Sequence, residues 1–232
     1  MNKIARLEAL LPALPNAVAR TKFGDNLRSI AQDIRDASTL ARDARALLDI
    51  AVEIGLIDNP TRRQRIEDMF DASGVAARQF EAAKDDNALR TAKDDYNEWK
   101  RSVRALGQAV AEHWDGVRSR QFDPLAAYGE ILGLVPGLAP LAKQFIACSL
   151  QAKSISMSSG AVAMLEKLQA AKATLRSLQE QRAQQVQDPA VGHFLNAVAD
   201  RKATLDDVND DVLRWLRENG GAKRFQLTPI GS

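Results

Sequence analysis

The chain has 232 residues, which is enough for one large helical domain or two small ones. Its formal net charge of +2 gives the whole chain little general attraction to nucleic acid. A single cysteine, Cys148, excludes an internal disulfide, and Arg6 and Glu8 interrupt the apolar run that a secretory signal would need. Ala, Leu, Gln and Arg are frequent and favour helices. We therefore expect an all-α, cytoplasmic protein.

The spacing of apolar residues over 26–54 predicts one long amphipathic helix. The apolar residues recur at steps of three and four, which places them on one face of an α-helix, and charged residues fill the positions between them. At ~1.5 Å per residue such a helix is about 43 Å long, and its apolar face needs a second long helix to cover it. These residues are Leu27, Ile30, Ile34, Ala37, Ala41, Ala44, Leu48 and Ala51.

Three pairs of an Asn or Asp followed by Pro predict helix starts. They are Asn59-Pro60, Asp123-Pro124 and Asp188-Pro189. The first side chain can accept a hydrogen bond from the first helical turn, and proline suits the first helical position because it has no N–H to leave unpaired. The helix that starts at Pro60 either ends near Ser73 or continues beyond it.

A second long helix is predicted over residues 75–117, which contain no proline. We expect it to lie antiparallel to the first, with residues 56–73 as the connection. The fold prediction is an elongated helical bundle in which residues 1–122 form a long antiparallel coiled-coil hairpin. Residues 123–232 form a C-terminal helical region, unless the whole chain is one continuous domain. The apolar face of the second helix carries Leu89, Ala92, Tyr96, Trp99, Val103, Leu106, Val110, His113 and Val117.

Residues 131–150 are the most apolar stretch of the chain. Their number is close to what a membrane-spanning helix needs, but Pro136, Gly137 and Pro140 interrupt them and Lys143 follows. One interpretation is a bend buried in the core of the bundle. The other is a membrane-active hairpin formed by residues 125–150.

The C-terminal part predicts three more helices and a strand. Residues 161–178 carry a third apolar face, and a short helix follows Pro189. Thr204 with Asp207 has the pattern of a capping box, which predicts the start of the last helix. The alternation in residues 223–228 predicts a short strand. Because one strand is not stable alone, it must pack on the bundle or complete the sheet of a partner.

The polar end of the helix over 161–187 and the unpaired strand indicate a protein partner. The segment Val212-Leu213-Arg214-Trp215-Leu216-Arg217-Glu218-Asn219-Gly220 resembles part of the closing helix and strand, here Leu205–Leu227, of some large bacterial ATPases and their accessory subunits in phage-defence clusters. This resemblance implies an accessory subunit of a bacterial complex. The candidate partner-binding residues are Gln181, Gln184, Gln185, Trp215, Phe225 and Leu227.

Sequence patterns that support catalysis or metal binding are missing. His113 and His193 belong to no His-x-x-x-His or Glu-x-x-His pair, and no phosphate-binding glycine loop or Gly-x-Ser-x-Gly motif occurs. The Asp-x-Asn-x-Asp pattern that starts at Asp207 resembles a calcium loop, but Val212 stands where the sharp turn needs glycine. We therefore expect no enzyme activity, no cofactor and no metal.

These observations favour a non-enzymatic helical scaffold or adaptor that binds a protein partner, associates with itself through its helical faces, or does both. The alternative is a membrane-active or pore-forming protein that inserts residues 125–150. A third interpretation, a DNA-binding subunit, rests on the basic clusters at Arg62-Arg63-x-Arg65 and Arg118-x-Arg120. Neighbouring acids dilute both clusters, so we do not expect nucleic acid to be the partner.

Overall fold

The computed structural model describes residues 23–83 and 86–225. Within these residues the chain is mostly α-helical and forms no strand, which confirms the predicted all-α class. Short 3-10 turns at Leu56–Asp58, Pro136–Leu138, Met157–Ser159 and Leu205–Asp207 lie between helices. The α-helices are α1 Phe23–Glu53, α2 Pro60–Ala82, α3 Asp86–Gln121, α4 Pro124–Gly133, α5 Ala139–Lys153, α6 Ala161–Gln185, α7 Pro189–Ala199 and α8 Asp210–Glu218.

The described residues belong to two compact units. Of these residues, the first unit contains those up to Trp114 together with Met157–Leu165, and the second contains Asp115–Ser156 together with those from Glu166 to Phe225. The boundary predicted between residues 122 and 123 stays a prediction.

The predicted apolar faces form the cores of these units. Nearly all the predicted positions of α3 are buried, and His113 is half-buried. On α1, Ala37, Ala44 and Ala51 are buried, whereas the side chains of Leu27, Ile30 and Ile34 lie outside the described residues. All six predicted positions of α6 are buried, namely Ala161, Met164, Leu168, Ala171, Leu175 and Leu178.

Helices α1 and α3 run in the same direction in the first unit. His113 Nε2 on α3 lies 3.1 Å from the carbonyl oxygen of Ile54, just after the end of α1. Further back on both helices, a Cβ added to Gly107 would lie 3.8 Å from Leu47 Cδ1. Residue numbers therefore rise together along the two helices, and the predicted antiparallel pairing of these helices is wrong.

The physical reason is an extra reversal of the chain. Helix α2 does not end near Ser73 but continues to Ala82, and Ala83 then adopts an extended conformation with φ −66° and ψ 118°. The second long helix starts at Asp86 instead of Val75. Because α2 is a complete helix between α1 and α3, the chain reverses twice, and the two longest helices become parallel neighbours.

Helices α4 and α5 pack closely in the second unit. Gly129 on α4 faces α5 so tightly that an added Cβ would lie 2.7 Å from Ile146 Cγ1 and 2.8 Å from the carbonyl oxygen of Ala142. The rings of Tyr128 and Phe145 meet edge to face with centroids 5.3 Å apart. The bend between these helices is buried, since Leu132, Val135 and Leu138 are at most 3% exposed.

All three predicted Asx-Pro helix starts are confirmed, since α2, α4 and α7 begin at Pro60, Pro124 and Pro189, and two of them also have the predicted cap. Asn59 Oδ1 accepts a hydrogen bond from the backbone N–H of Arg62 at 3.2 Å, and Asp188 Oδ1 accepts one from Ala190 at 2.8 Å. Asp123 differs: its own backbone is helical, its side chain makes no capping hydrogen bond, and it lies 3.8 Å from Arg118 Nε instead. The chain enters α4 from α3 without the extended residue that a capping side chain requires.

The capping box at Thr204 forms, but on a shorter element than predicted. Thr204 and Asp207 enclose the 3-10 turn Leu205–Asp207, and α8 has its own cap, Asn209, whose Oδ1 accepts a hydrogen bond from Val212 N–H at 2.9 Å. The predicted strand is not found in the described part of its range. Residues 222–224 form a turn, in which Arg224 N–H donates to the carbonyl oxygen of Gly221 at 2.9 Å, and residues 226–228 lie outside the description.

Candidate functional site

The corner between α1 and α2 carries an open groove of about 530 Å³, which we call the corner groove. Its floor is apolar: Ile66 is buried, while Leu48, Ile57 and Phe70 are half-buried and reach the surface. One helical turn beyond Leu48 on α1, Val52 is 51% exposed. Apolar side chains that a fold leaves half-exposed around a concave surface are typical of a binding site.

A stripe of charge borders the corner groove. Arg63, Glu67 and Asp71 all line it, and they follow one another at steps of four along α2, so they lie on one edge of that helix. All three are exposed. The groove therefore presents an apolar floor beside an edge that is basic at the start of α2 and acidic further along. The sequence analysis did not predict this site, because the residue types on its floor are the same as those of a packed core.

A second groove of about 420 Å³ lies between the end of α6 and the first half of α7, and we call it the Arg182 groove. Arg182 Nη2 lies 3.1 Å from Asn196 Oδ1 and 3.4 Å from the carbonyl oxygen of Gly192. Asp188, Gln179 and His193 also line the groove. No carboxylate of the described residues lies within 4.0 Å of the Arg182 guanidinium.

Tyr128 forms part of the support for Arg182. The Arg182 Cζ lies 4.9 Å from the centroid of the Tyr128 ring, a distance at which a cation is attracted to the ring face. Burial raises the pKa of the Tyr128 phenol, and the positive charge of Arg182 acts against this effect. Arg182 thus connects α6 to α4 as well as to α7.

His193 and Asp207 form the other polar contact of α7. His193 Nε2 lies 3.1 Å from Asp207 Oδ1, while the backbone N–H and the hydroxyl of Thr204 lie 2.7 Å and 3.0 Å from Asp207 Oδ2. The hydrogen bond from the Thr204 backbone is the main cause that lowers the pKa of Asp207, and the Thr204 hydroxyl and His193 act in the same direction. Asp207 is therefore a carboxylate that holds a turn against α7.

The predicted partner-binding residues do not form one site. Gln181 is half-buried and donates to Ser177 Oγ at 3.3 Å, whereas Gln184 and Gln185 are exposed at the end of α6, beside the Arg182 groove. Phe225 packs on α7, with its ring centroid 5.5 Å from that of Phe194. Trp215 is half-buried on α8, and Leu227 lies outside the described residues. Sequence reasoning pointed to the end of α6 but missed Arg182, whose role depends on residues from two other helices.

The residues of the calcium-like pattern have other roles in the structure. Asp207 holds Thr204, Asn209 caps α8, and Asp211 pairs with Arg214. In the described part of the chain, no three His, Cys, Asp or Glu side chains are grouped so that they could hold a metal ion. His113 contacts the end of α1 and therefore has a structural contact in the first unit.

Comparisons with known protein families, with curated proteins and with solved structures found no match. Among the helices within residues 23–83 and 86–225, none is long and apolar enough to cross a membrane. The two grooves are therefore interpreted from their own geometry and charge.

Proposed function

We propose that the protein is a non-enzymatic helical adaptor of the cytoplasm that binds an amphipathic helix of a protein partner in the corner groove. The observation that carries this proposal is the apolar floor of Leu48, Ile57 and Phe70, which remains half-exposed. Neighbouring apolar side chains of the same corner are buried, namely Ile54, Leu56 and Ile66. The volume of the groove, about 530 Å³, lies in the range of about 300–1,000 Å³ that is typical of binding pockets.

The charged edge of the groove defines the chemistry of the partner helix. Glu67 and Asp71 are spaced four residues apart on α2 and fit two basic side chains that are also four residues apart on the partner. Arg63 fits an acidic side chain at one end of the same stripe. Such complementary charges select the orientation of a bound helix, and the apolar side chains that enter the groove supply most of the affinity.

The setting that we propose is an accessory subunit of a bacterial multiprotein complex, such as one of phage defence. The likeness of Leu205–Leu227 to the closing segments of accessory subunits supports this setting. In the same proposal, the end of α6 with Gln184 and Gln185 is a second contact with the partner.

The test is affinity capture from the native host with the wild type and two matched variants. Phe70→Ser removes the apolar floor of the corner groove, whereas Val75→Ser removes an exposed apolar side chain of the same helix that does not line the groove. Circular dichroism first establishes that both variants keep their helical content. We expect a stoichiometric protein partner with the wild type and with Val75→Ser, and a loss of at least tenfold in recovery with Phe70→Ser.

Two results would contradict the proposal. Equal recovery of the partner with both variants would show that the corner groove is not the contact. Recovery of the wild type only in a detergent-extracted fraction, with lipid and without a protein partner, would favour the membrane-active alternative for residues 125–150.

A further inference from the structure

We propose that the Arg182 groove is a binding site for a carboxylate, either of a free organic acid or of an acidic side chain in a peptide. The inference does not depend on the corner groove. It starts from the hydrogen-bonding capacity of Arg182. A guanidinium has five N–H donors, and Nη2, with two of them, is committed to Asn196 and Gly192. The Tyr128 side chain also interacts with Arg182 as a hydrogen-bond partner. No ion pair joins Arg182 to a carboxylate of residues 23–83 and 86–225, so the guanidinium keeps N–H donors for a ligand.

The surroundings of Arg182 add donors to the same groove. Asn196 Oδ1 accepts from Arg182, so its amide NH₂ group is left as a further donor. The first turn of α7, where Pro189 and Gly192 line the groove, is the positive end of that helix. A half-buried cation without a carboxylate partner, beside an amide donor and a helix N-terminus, favours an anionic oxygen ligand.

The groove also selects the kind of anion. Asp188 lines it and already accepts a hydrogen bond from Ala190 N–H, so its carboxylate stays at the groove wall as a negative charge. A phosphate group carries a charge of about −1.5 to −2 and is repelled more strongly by Asp188 than a carboxylate with one charge. The open side of the groove admits a ligand that continues outward, such as a dicarboxylic acid or a glutamate in a peptide chain.

The rigid placement of Arg182 supports a site rather than a mobile surface charge. The ring of Tyr128 lies beneath the guanidinium, and Asn196 and Gly192 fix its direction from α7. A guanidinium that is already oriented loses little side-chain entropy when the ligand binds. Surface arginines without such contacts bind carboxylates weakly in water.

The test is titration of the ¹⁵N-labelled full-length chain with glutarate, with a hexapeptide of alternating Glu and Ala, and with inorganic phosphate, all at constant ionic strength. The amide signals of Gly192 and Asn196 report binding. Asn196→Asp places a carboxylate of the chain itself next to Arg182, so we expect it to keep the fold and to weaken binding at least tenfold. Arg176→Met, which removes an exposed charge elsewhere on α6, is the matched control and should bind as the wild type does.

The outcomes separate the alternatives. Saturable binding of glutarate and the peptide with similar affinity assigns the site to a free carboxylate. Binding of the peptide that is at least tenfold tighter assigns it to an acidic segment of a protein. The proposal is overturned if neither ligand gives a saturable shift, if phosphate binds as tightly as glutarate, or if Asn196→Asp binds as the wild type does.

Discussion

The close approach of α4 and α5 at Gly129 leads to a prediction whose sign can be worked out from the structure. Replacement of Gly129 by Ala adds one methyl group, which would lie 2.8 Å from the carbonyl oxygen of Ala142 and 2.7 Å from Ile146 Cγ1. The carbonyl oxygen belongs to the backbone of α5 and cannot move alone. The two helices must therefore separate, and overpacking of this kind costs about 1–3 kcal/mol.

A glycine inside a helix also lowers the stability of that helix, and Gly129→Ala removes this destabilisation. Alanine is favoured over glycine in a helix by about 1 kcal/mol. Gly116 on α3 belongs to the same unit, and an added Cβ there would meet no atom within 4 Å. Gly116→Ala should therefore stabilise the second unit by up to about 1 kcal/mol, whereas Gly129→Ala should destabilise it by a net ~0–2 kcal/mol.

Urea denaturation followed by circular dichroism at 222 nm compares the two variants with the wild type. With a slope of about 2 kcal/mol per M urea, the midpoint for Gly129→Ala should fall by up to about 1 M, and the midpoint for Gly116→Ala should rise slightly. A midpoint of Gly129→Ala that equals or exceeds that of Gly116→Ala would refute the close packing of α4 on α5.

Three further predictions concern single polar groups. His113→Phe should lower stability by about 1 kcal/mol, because the Ile54 carbonyl loses its contact with the ring nitrogen; thermal unfolding measures this. Hydrogen bonds from Thr204 lower the pKa of Asp207 below its unfolded value of about 3.9, so the unfolded state binds a proton more readily than the folded state. The free energy of unfolding should therefore decrease as the pH falls below about 4. Acid unfolding curves of Asp207→Asn should show a smaller decrease. Cys148 is buried and its thiol pKa is raised, so a disulfide reagent should label it slowly at neutral pH and rapidly in denaturant.

The helices themselves were largely predictable from local chemistry. The faces of α3 and α6 follow from apolar spacing, and Asn59 and Asp188 cap their helices because an extended Asx before Pro satisfies the first turn. Asp123 has the same two-residue pattern but a helical backbone, because α3 continues almost directly into α4. The same local signal thus gives a cap only where the preceding chain is extended.

The error in the pairing of α1 and α3 shows how a small local feature decides topology. The extended backbone of Ala83 ends α2, although no glycine or proline stands there and the residues on both sides favour helix. The prediction placed the break near Ser73, with residues 56–73 as a connection and residues 75–117 as one long helix, whereas α2 continues to Ala82. Because each full helix reverses the chain direction in a bundle, this shift of the break changes α3 from an antiparallel to a parallel neighbour of α1.

The two grooves were beyond sequence reasoning for a different reason. In the sequence, Arg182 is one polar residue among several at the polar end of a helix. Only the structure shows that Tyr128 lies beneath its guanidinium and that Asn196 binds it. Leu48 and Phe70 have the spacing of core residues, and nothing local distinguishes a side chain that the fold covers from one that it leaves half-exposed. A binding surface of this kind forms where neighbouring helices leave apolar or charged side chains uncovered. It is therefore set by tertiary contacts, whereas helix position and capping are set by residues within one or two turns.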